Sequence, residues 1–114
     1  MSSIRFVPQV IRTMAAADIA LGYQELGTPL VAPASIMLFQ NNTDAALFFS
    51  LDGVNDHFFL PMSGFTLFDL TTNKSLDQGA FIAQDTQVWV RLDFAAATTG
   101  AVYLSVLSGF QGNA

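Results

Sequence analysis

Charged side chains are scarce in this 114-residue chain. Lys, Arg, Asp and Glu make up 11% of it and hydrophobic residues 52%, whereas ordinary soluble domains are roughly 25% charged. A folded monomer of this mass would expose about 6,000 Å², and the four basic and nine acidic side chains would cover only about a fifth of that. The sequence therefore predicts a homo-oligomer or assembly subunit, because charge depletion is typical of interface cores. A monomer coated with Ser, Thr, Asn and Gln is the alternative.

Cysteine is absent, which excludes disulfides and thiolate metal ligands and fits assembly inside a cell. The length predicts one domain. No apolar run approaches the roughly 18 residues of a membrane span, and the first twenty residues contain no run typical of a signal peptide. We therefore expect a soluble, unprocessed protein that does not bind membranes.

Basic residues are few and scattered. Arg5, Arg12, Lys74 and Arg91 are the four cations, and the formal net charge is −5. Contacts to nucleic-acid phosphates need several Lys or Arg side chains on one face. The sequence therefore predicts no direct nucleic-acid binding.

Residues 35–56 organise the predicted sheet. Two apolar runs, 36–39 and 45–49, are separated by Asn41-Asn42-Thr43-Asp44 and closed by a second turn signal at 52–56. Strand-like runs bounded by Asn, Asp and Gly predict a β-hairpin. We expect this hairpin at the centre of an antiparallel sheet.

The other segments predict about eight short strands. Apolar and polar residues alternate over 18–24, 86–93 and 101–108, and short apolar runs occur at 57–60, 65–70 and 80–83. This spacing predicts an all-β, antiparallel β-sandwich or small jelly roll. We assign residues 1–14 to an N-terminal arm or edge strand because Pro8 cannot donate in a central strand, 15–110 to the sandwich and 111–114 to a short C-terminal tail.

Chemical signals are weak. His57 has no second His or Cys with which to bind a metal, and Asp44, Asp52, Asn55 and Asp56 suit turns as well as a Ca²⁺ site. No Ser lies in a nucleophile elbow. We expect no catalytic residue, cofactor or metal site, a small-molecule ligand is not expected, and the protein is predicted not to be an enzyme.

Trp89 offers a second interpretation of the predicted sandwich. Its exposed strand face could form an aromatic platform for a sugar, as in a carbohydrate-binding or host-surface-binding module. Trp89 and Tyr103 equally suit packing across strands, which we favour.

Several short motifs follow one another along the chain. They are Arg12, Tyr23 with Gly27-Thr28-Pro29-Leu30, 41–44, Ser50-Leu51-Asp52-Gly53, 69–73, 85–90 and 102–106. From Arg12 to its end the chain thus resembles a family of small virion proteins encoded by tailed double-stranded DNA bacteriophages. Position 85 is Asp where the family pattern has Gly.

The resemblance implies a non-enzymatic structural subunit of the particle, found in the virion after assembly in the bacterial host cytoplasm. It leaves open whether the subunit decorates the capsid or belongs to the connector, collar or tail. The implied partners are further copies of the chain and other virion proteins of the capsid, portal or tail. From their apolar character we select these candidate interface residues: Phe6, Val10, Ile11, Phe58, Phe59, Phe65, Trp89 and Phe110.

Overall fold

The computed structural model describes residues 2–70 and 82–113, and it describes side chains for 7–70 and 82–108. Apart from one short 3₁₀ turn at Ala16–Asp18, the regular structure of these residues is β-strand. The strands are β1 (Ser2–Pro8), β2 (Arg12–Ala15), β3 (Gln24–Glu25), β4 (Ile36–Asn41), β5 (Leu47–Ser50), β6 (Phe58–Leu60), β7 (Phe65–Asp69), β8 (Trp89–Leu92) and β9 (Ala101–Asn113).

The strands form two antiparallel sheets that pack as a β-sandwich, as predicted. Sheet A has the order β1-β9-β4-β7, with β2 also paired to β9, and sheet B has the order β3-β8-β5-β6. If β1 and β2 count together as the first strand, this is the strand order of an eight-stranded jelly roll. Of the two predicted architectures, the topology therefore selects the jelly roll.

Strict alternation places the core between the sheets. In β4, Met37 and Phe39 are buried while their neighbours are half-buried, and β9 repeats the pattern with Val102 and Leu104. In β8 the predicted inward residues are likewise buried: Val90 and Leu92. Since successive side chains point to opposite faces, the same alternation leaves every second residue on the outside.

The predicted hairpin over residues 35–56 is wrong. β4 pairs with β7 and β9 in sheet A, whereas β5 pairs with β6 and β8 in sheet B. The segment 42–46 therefore carries the chain from one sheet to the other, with Thr43 and Ala45 buried and Asn42 and Asp44 exposed. In a jelly roll most connections cross in this way, and the hairpin here is formed by β5 and β6.

Asn41 stabilises the point at which the chain passes from sheet A to sheet B. Its side chain is fully buried, and its amide group donates to the carbonyl oxygens of Ala45, Leu60 and Pro61 at 2.8, 3.2 and 3.1 Å. Its Oδ1 accepts from the amide and the hydroxyl of Thr43 at 3.0 and 2.6 Å. Asn41, the last residue of β4 in sheet A, thus bonds both to the chain just before β5 and to the end of β6, which belong to sheet B.

Two further predictions differ from the structure. The alternation over 18–24 forms a strand at Gln24–Glu25 alone, because Ile19 and Leu26 are buried as separate anchors of a connection between the sheets. At the C-terminus β9 continues to Asn113 where a tail at 111–114 was predicted. Half of the predicted strand at 80–83 lies outside the described residues. In the described half, Ile82 forms an isolated bridge to Ala34.

The ends of the chain form a ribbon that continues beyond the sandwich. β9 pairs with β4 as far as Leu107 but with β1 as far as Asn113. The molecule is accordingly elongated, with extents of 51 × 24 × 20 Å and a radius of gyration of 15.1 Å, against about 13 Å for a compact chain of this length. The N-terminal segment is a strand at the edge of sheet A, and its reach onto a neighbouring subunit stays a prediction.

Candidate interaction surfaces

The outside of sheet A is a continuous face, here called the outer face. The register places Leu38 of β4 beside Leu67 of β7 and Ser105 of β9, and it places Gln40 between Phe65 and Tyr103. Further described members flank these rows. They include Ile36, Leu107, Pro8, Thr13, Ala15, Ala101 and, at the end of β7, Asp69.

This outer face is apolar and poor in charge. Aliphatic and aromatic side chains occupy most of its positions, and Asp69 is the one ionisable carboxylate among the described members. A sandwich usually leaves the outer face of each sheet polar and in contact with water. A charge-depleted face with half-buried and exposed apolar side chains is instead characteristic of an interaction surface.

Four of the predicted interface residues have exposed side chains. Val10 and Ile11 lie between β1 and β2, Phe65 begins β7, and Phe59 lies on the outside of sheet B. Val10 is 86% exposed and Phe65 is 71% exposed, so both would lose much apolar surface in a contact. The side chains of Phe6 and Phe110 lie outside those that the structure describes.

Phe58 was predicted to be an interface anchor, and the structure places it against the core instead. Its ring stacks on Phe49 at 5.1 Å between centroids and meets Phe39 and Phe68 edge-on at 4.7 and 5.2 Å. Phe58, Phe39 and Phe68 also line part of a 330 Å³ cavity, together with Met37. Such aromatic pairs stabilise a core beyond simple burial, so Phe58 contributes to folding.

Trp89 is not a free aromatic platform. Gly53 packs directly on its indole, and a Cβ atom at position 53 would lie 2.8 Å from Trp89 Cε2. Gly53 has a φ of 73°, which glycine adopts without strain. The absence of a side chain at position 53 therefore allows the 51–57 loop to contact this ring, although Trp89 remains half-buried. The predicted pairing of Trp89 with Tyr103 across strands does not occur, because the two residues lie in different sheets.

The outside of sheet B carries an ion pair beside the rings of Phe48 and Phe59, whose centroids lie 5.1 Å apart. Arg91 donates to both carboxylate oxygens of Asp56, its guanidinium lies 4.6 Å from the Phe48 ring centroid, and Tyr23 donates to Asp56 Oδ1 at 2.7 Å. Hydrogen bonding from Arg91 lowers the pKa of Asp56, and the same bond raises the pKa of Arg91. The two sheets thus differ in the chemistry of their outer surfaces.

Arg12 belongs to the motifs that carry the family resemblance. It is buried beneath a groove at the edge of sheet A that lies opposite β7. It donates through Nε to the carbonyl of Thr28 at 2.8 Å, and through one terminal nitrogen to the carbonyl of Pro29 and to Gln9 Oε1. Gly27 must lack a side chain because a Cβ there would lie 2.6 Å from Arg12 Cγ. Burial lowers the pKa of Arg12. Its hydrogen bonds hold the 27–30 loop against the first strands.

The groove above Arg12 has a volume of about 370 Å³ and an aliphatic rim. Val10, Ile11 and Val31 form this rim and all three are exposed. Gln9 and Arg12 belong to its lining, and their polar groups already bond to each other. The groove therefore presents apolar surface above polar groups that have partners.

The acidic residues considered for Ca²⁺ serve turns and loops. The backbone amides of Val54 and Asn55 donate to Asp52 Oδ1 at 2.8 and 2.9 Å. Asp44 accepts from the hydroxyl and amide of Thr98, which lowers its pKa to about 2. Within residues 2–70 and 82–113, no three His, Cys, Asp or Glu side chains are grouped to hold a metal.

Sequence reasoning missed part of these surfaces. Leu67, Val31 and Met62 are exposed apolar residues that were not selected, because alternation alone does not tell which side of a strand faces the core. Met62 lies in a turn and Val31 in a connection. Their exposure could be assigned only from the topology.

No protein-family model matches this chain, and the comparison with curated proteins gives no match either. No helix in the part of the chain that the structure describes is long and apolar enough to span a membrane.

Proposed function

We propose that this protein is a non-enzymatic structural subunit of a tailed-bacteriophage particle that assembles through its apolar surfaces into a ring or lattice. The observation that carries the proposal is the outer face of sheet A, where apolar side chains from β4, β7 and β9 lie side by side with little charge. Water would solvate this face poorly, and another protein surface would cover it favourably.

The fold supports this proposal without deciding it. Jelly rolls occur in viral capsid proteins, and also in lectins and cupins. A fold hosts many functions, so function must be argued from surfaces and sites. Here the described surfaces offer an apolar face, while the Trp89 ring, on which the sugar-binding alternative depends, is already in contact with Gly53.

The motifs behind the family resemblance have structural roles. Arg12 bonds to the carbonyls of Thr28 and Pro29, which joins two motifs that are distant in the sequence. Asp85, where the family pattern has Gly, has a φ of 69°, a conformation that Gly adopts readily and Asp tolerates. These motif residues contribute to the scaffold, whereas Tyr103 and Ser105 of the 102–106 motif lie on the outer face proposed for contacts.

Sedimentation velocity across a range of concentrations tests the proposal. The wild-type protein should associate as its concentration rises. Ser105→Lys places a cation at the centre of the outer face, beside Leu38, without removing any apolar surface. A desolvated, unpaired charge in an interface should weaken association by at least about tenfold.

Val54→Lys is the matched control. Val54 is 73% exposed and lies in the loop between β5 and β6, so a Lys there should leave association unchanged. A wild-type protein that sediments as a monomer at every concentration, up to the millimolar range, would overturn the proposal. Equal association of the wild type and Ser105→Lys would remove the outer face from it.

A further inference from the structure

Two exposed apolar patches lie at opposite edges of sheet A. The first, called the β7 patch, comprises Met62, Phe65 and Leu67 at one edge. The second is the rim of the groove above Arg12, formed by Val10, Ile11 and Val31 beside β1 and β2. One patch projects side chains, whereas the other is concave.

The two patches match in size. The groove of about 370 Å³ can hold one or two side chains of the size of Phe or Leu at the packing density of protein interiors. From their exposures, the six side chains present roughly 650 Å² of apolar surface together. This is about the apolar share of an interface that buries 1,200 Å² in total, the lower limit for stable complexes.

We propose that neighbouring copies of this chain join edge to edge, with the β7 patch of one copy seated in the groove rim of the next. This deepens, and rests on, the assembly role proposed above. The contact is heterologous, because two different patches meet, and a pair of copies joined in this way retains one free β7 patch and one free groove. Repetition of such a contact produces a closed ring or an open filament.

Complementary single variants test the inference. Phe65→Lys disrupts the β7 patch and leaves the groove intact, and Val10→Lys does the reverse. Both residues are largely exposed, so both variants should fold, which circular dichroism verifies. Each variant alone should associate at least tenfold more weakly than the wild type in sedimentation velocity.

The mixture of the two variants gives the decisive result. The intact groove of Phe65→Lys can accept the intact β7 patch of Val10→Lys, so an equimolar mixture should form dimers and nothing larger. A mixture that stays monomeric would overturn the heterologous contact, since a contact between like patches cannot be rescued in this way. Wild-type association of either single variant would also overturn it.

The control and the outer-face variant separate this inference from the proposed function. Val54→Lys belongs to neither patch and should associate like the wild type. If Ser105→Lys abolishes association while Phe65→Lys and Val10→Lys do not, the edge contact is wrong and the assembly role stands. A wild type that never associates overturns both.

Discussion

Replacing Asn41 by Ala should destabilise the protein severely. The Asn41 side chain is completely buried and bonds to three carbonyl oxygens and to both polar groups of Thr43. Truncation removes these bonds. Several buried backbone groups would then lose a partner at the crossing between the sheets.

The size of the effect follows from the number of groups affected. Each buried donor or acceptor left without a partner costs about 1–3 kcal/mol, and Thr43 Oγ1 can still donate to the carbonyl of Ala45. We therefore expect Asn41→Ala to lower the free energy of unfolding by about 3–5 kcal/mol. This is a large fraction of the 5–15 kcal/mol typical of a domain, and in urea it shifts the midpoint by about 2 M.

Equilibrium urea unfolding followed by circular dichroism measures this loss. Asn41→Asp keeps the shape but exchanges the donor for an acceptor that faces carbonyl oxygens, so at pH 7 it should lose at least as much stability. Asn42→Ala is the matched control, because Asn42 is exposed and a surface change costs within about 0.5 kcal/mol. If Asn41→Ala were as stable as Asn42→Ala, the assigned role of the buried amide would be refuted.

Variants at three further positions test the backbone and one acidic side chain. Asp85→Gly should be at least as stable as the wild type in urea unfolding, while Asp85→Val should lose about 1–2 kcal/mol at the positive φ; equal stability of the two would contradict this. Gly100→Ala should lose at least about 2 kcal/mol by the same measurement, since its Cβ would lie 1.9 Å from the Asn42 carbonyl oxygen at a φ of 84°; the exposed Gly22→Ala is its control. The pKa of Asp44 falls from 3.8 to about 2 on folding, so its stabilisation is present above pH 4 and lost as the pH falls towards 2. The melting temperature of Asp44→Asn should therefore depend less on pH in that window, and an unchanged slope would contradict the assignment.

Composition and alternation determined the fold class. Short apolar runs between turn residues require strands, and the absence of helical periodicity leaves an all-β sandwich as the way to bury them. The alternation of Val90 and Leu92 with Trp89 and Arg91 placed β8 correctly, because a period of two is a local property. The small number of charged residues likewise predicted that much of the surface is uncharged.

Partner choice between strands was decided by the tertiary structure. Residues 36–50 have the local pattern of a hairpin, yet Asn41 is a buried bridge between the sheets and β4 pairs with a strand more than sixty residues later in the chain. Turn residues are common to hairpins and crossings, so local sequence cannot separate them. Long-range pairing is what selects the jelly roll.

The distinction between local sequence and long-range packing also applies to the candidate surfaces. Phe58 and Phe65 are equally apolar in the sequence, but Phe58 packs among three rings and Phe65 is exposed at a sheet edge. Apolarity is a property of each residue, and the sequence alone reveals it. Whether an apolar side chain is covered depends on which strands lie beside it, and that is decided only when the two sheets pack.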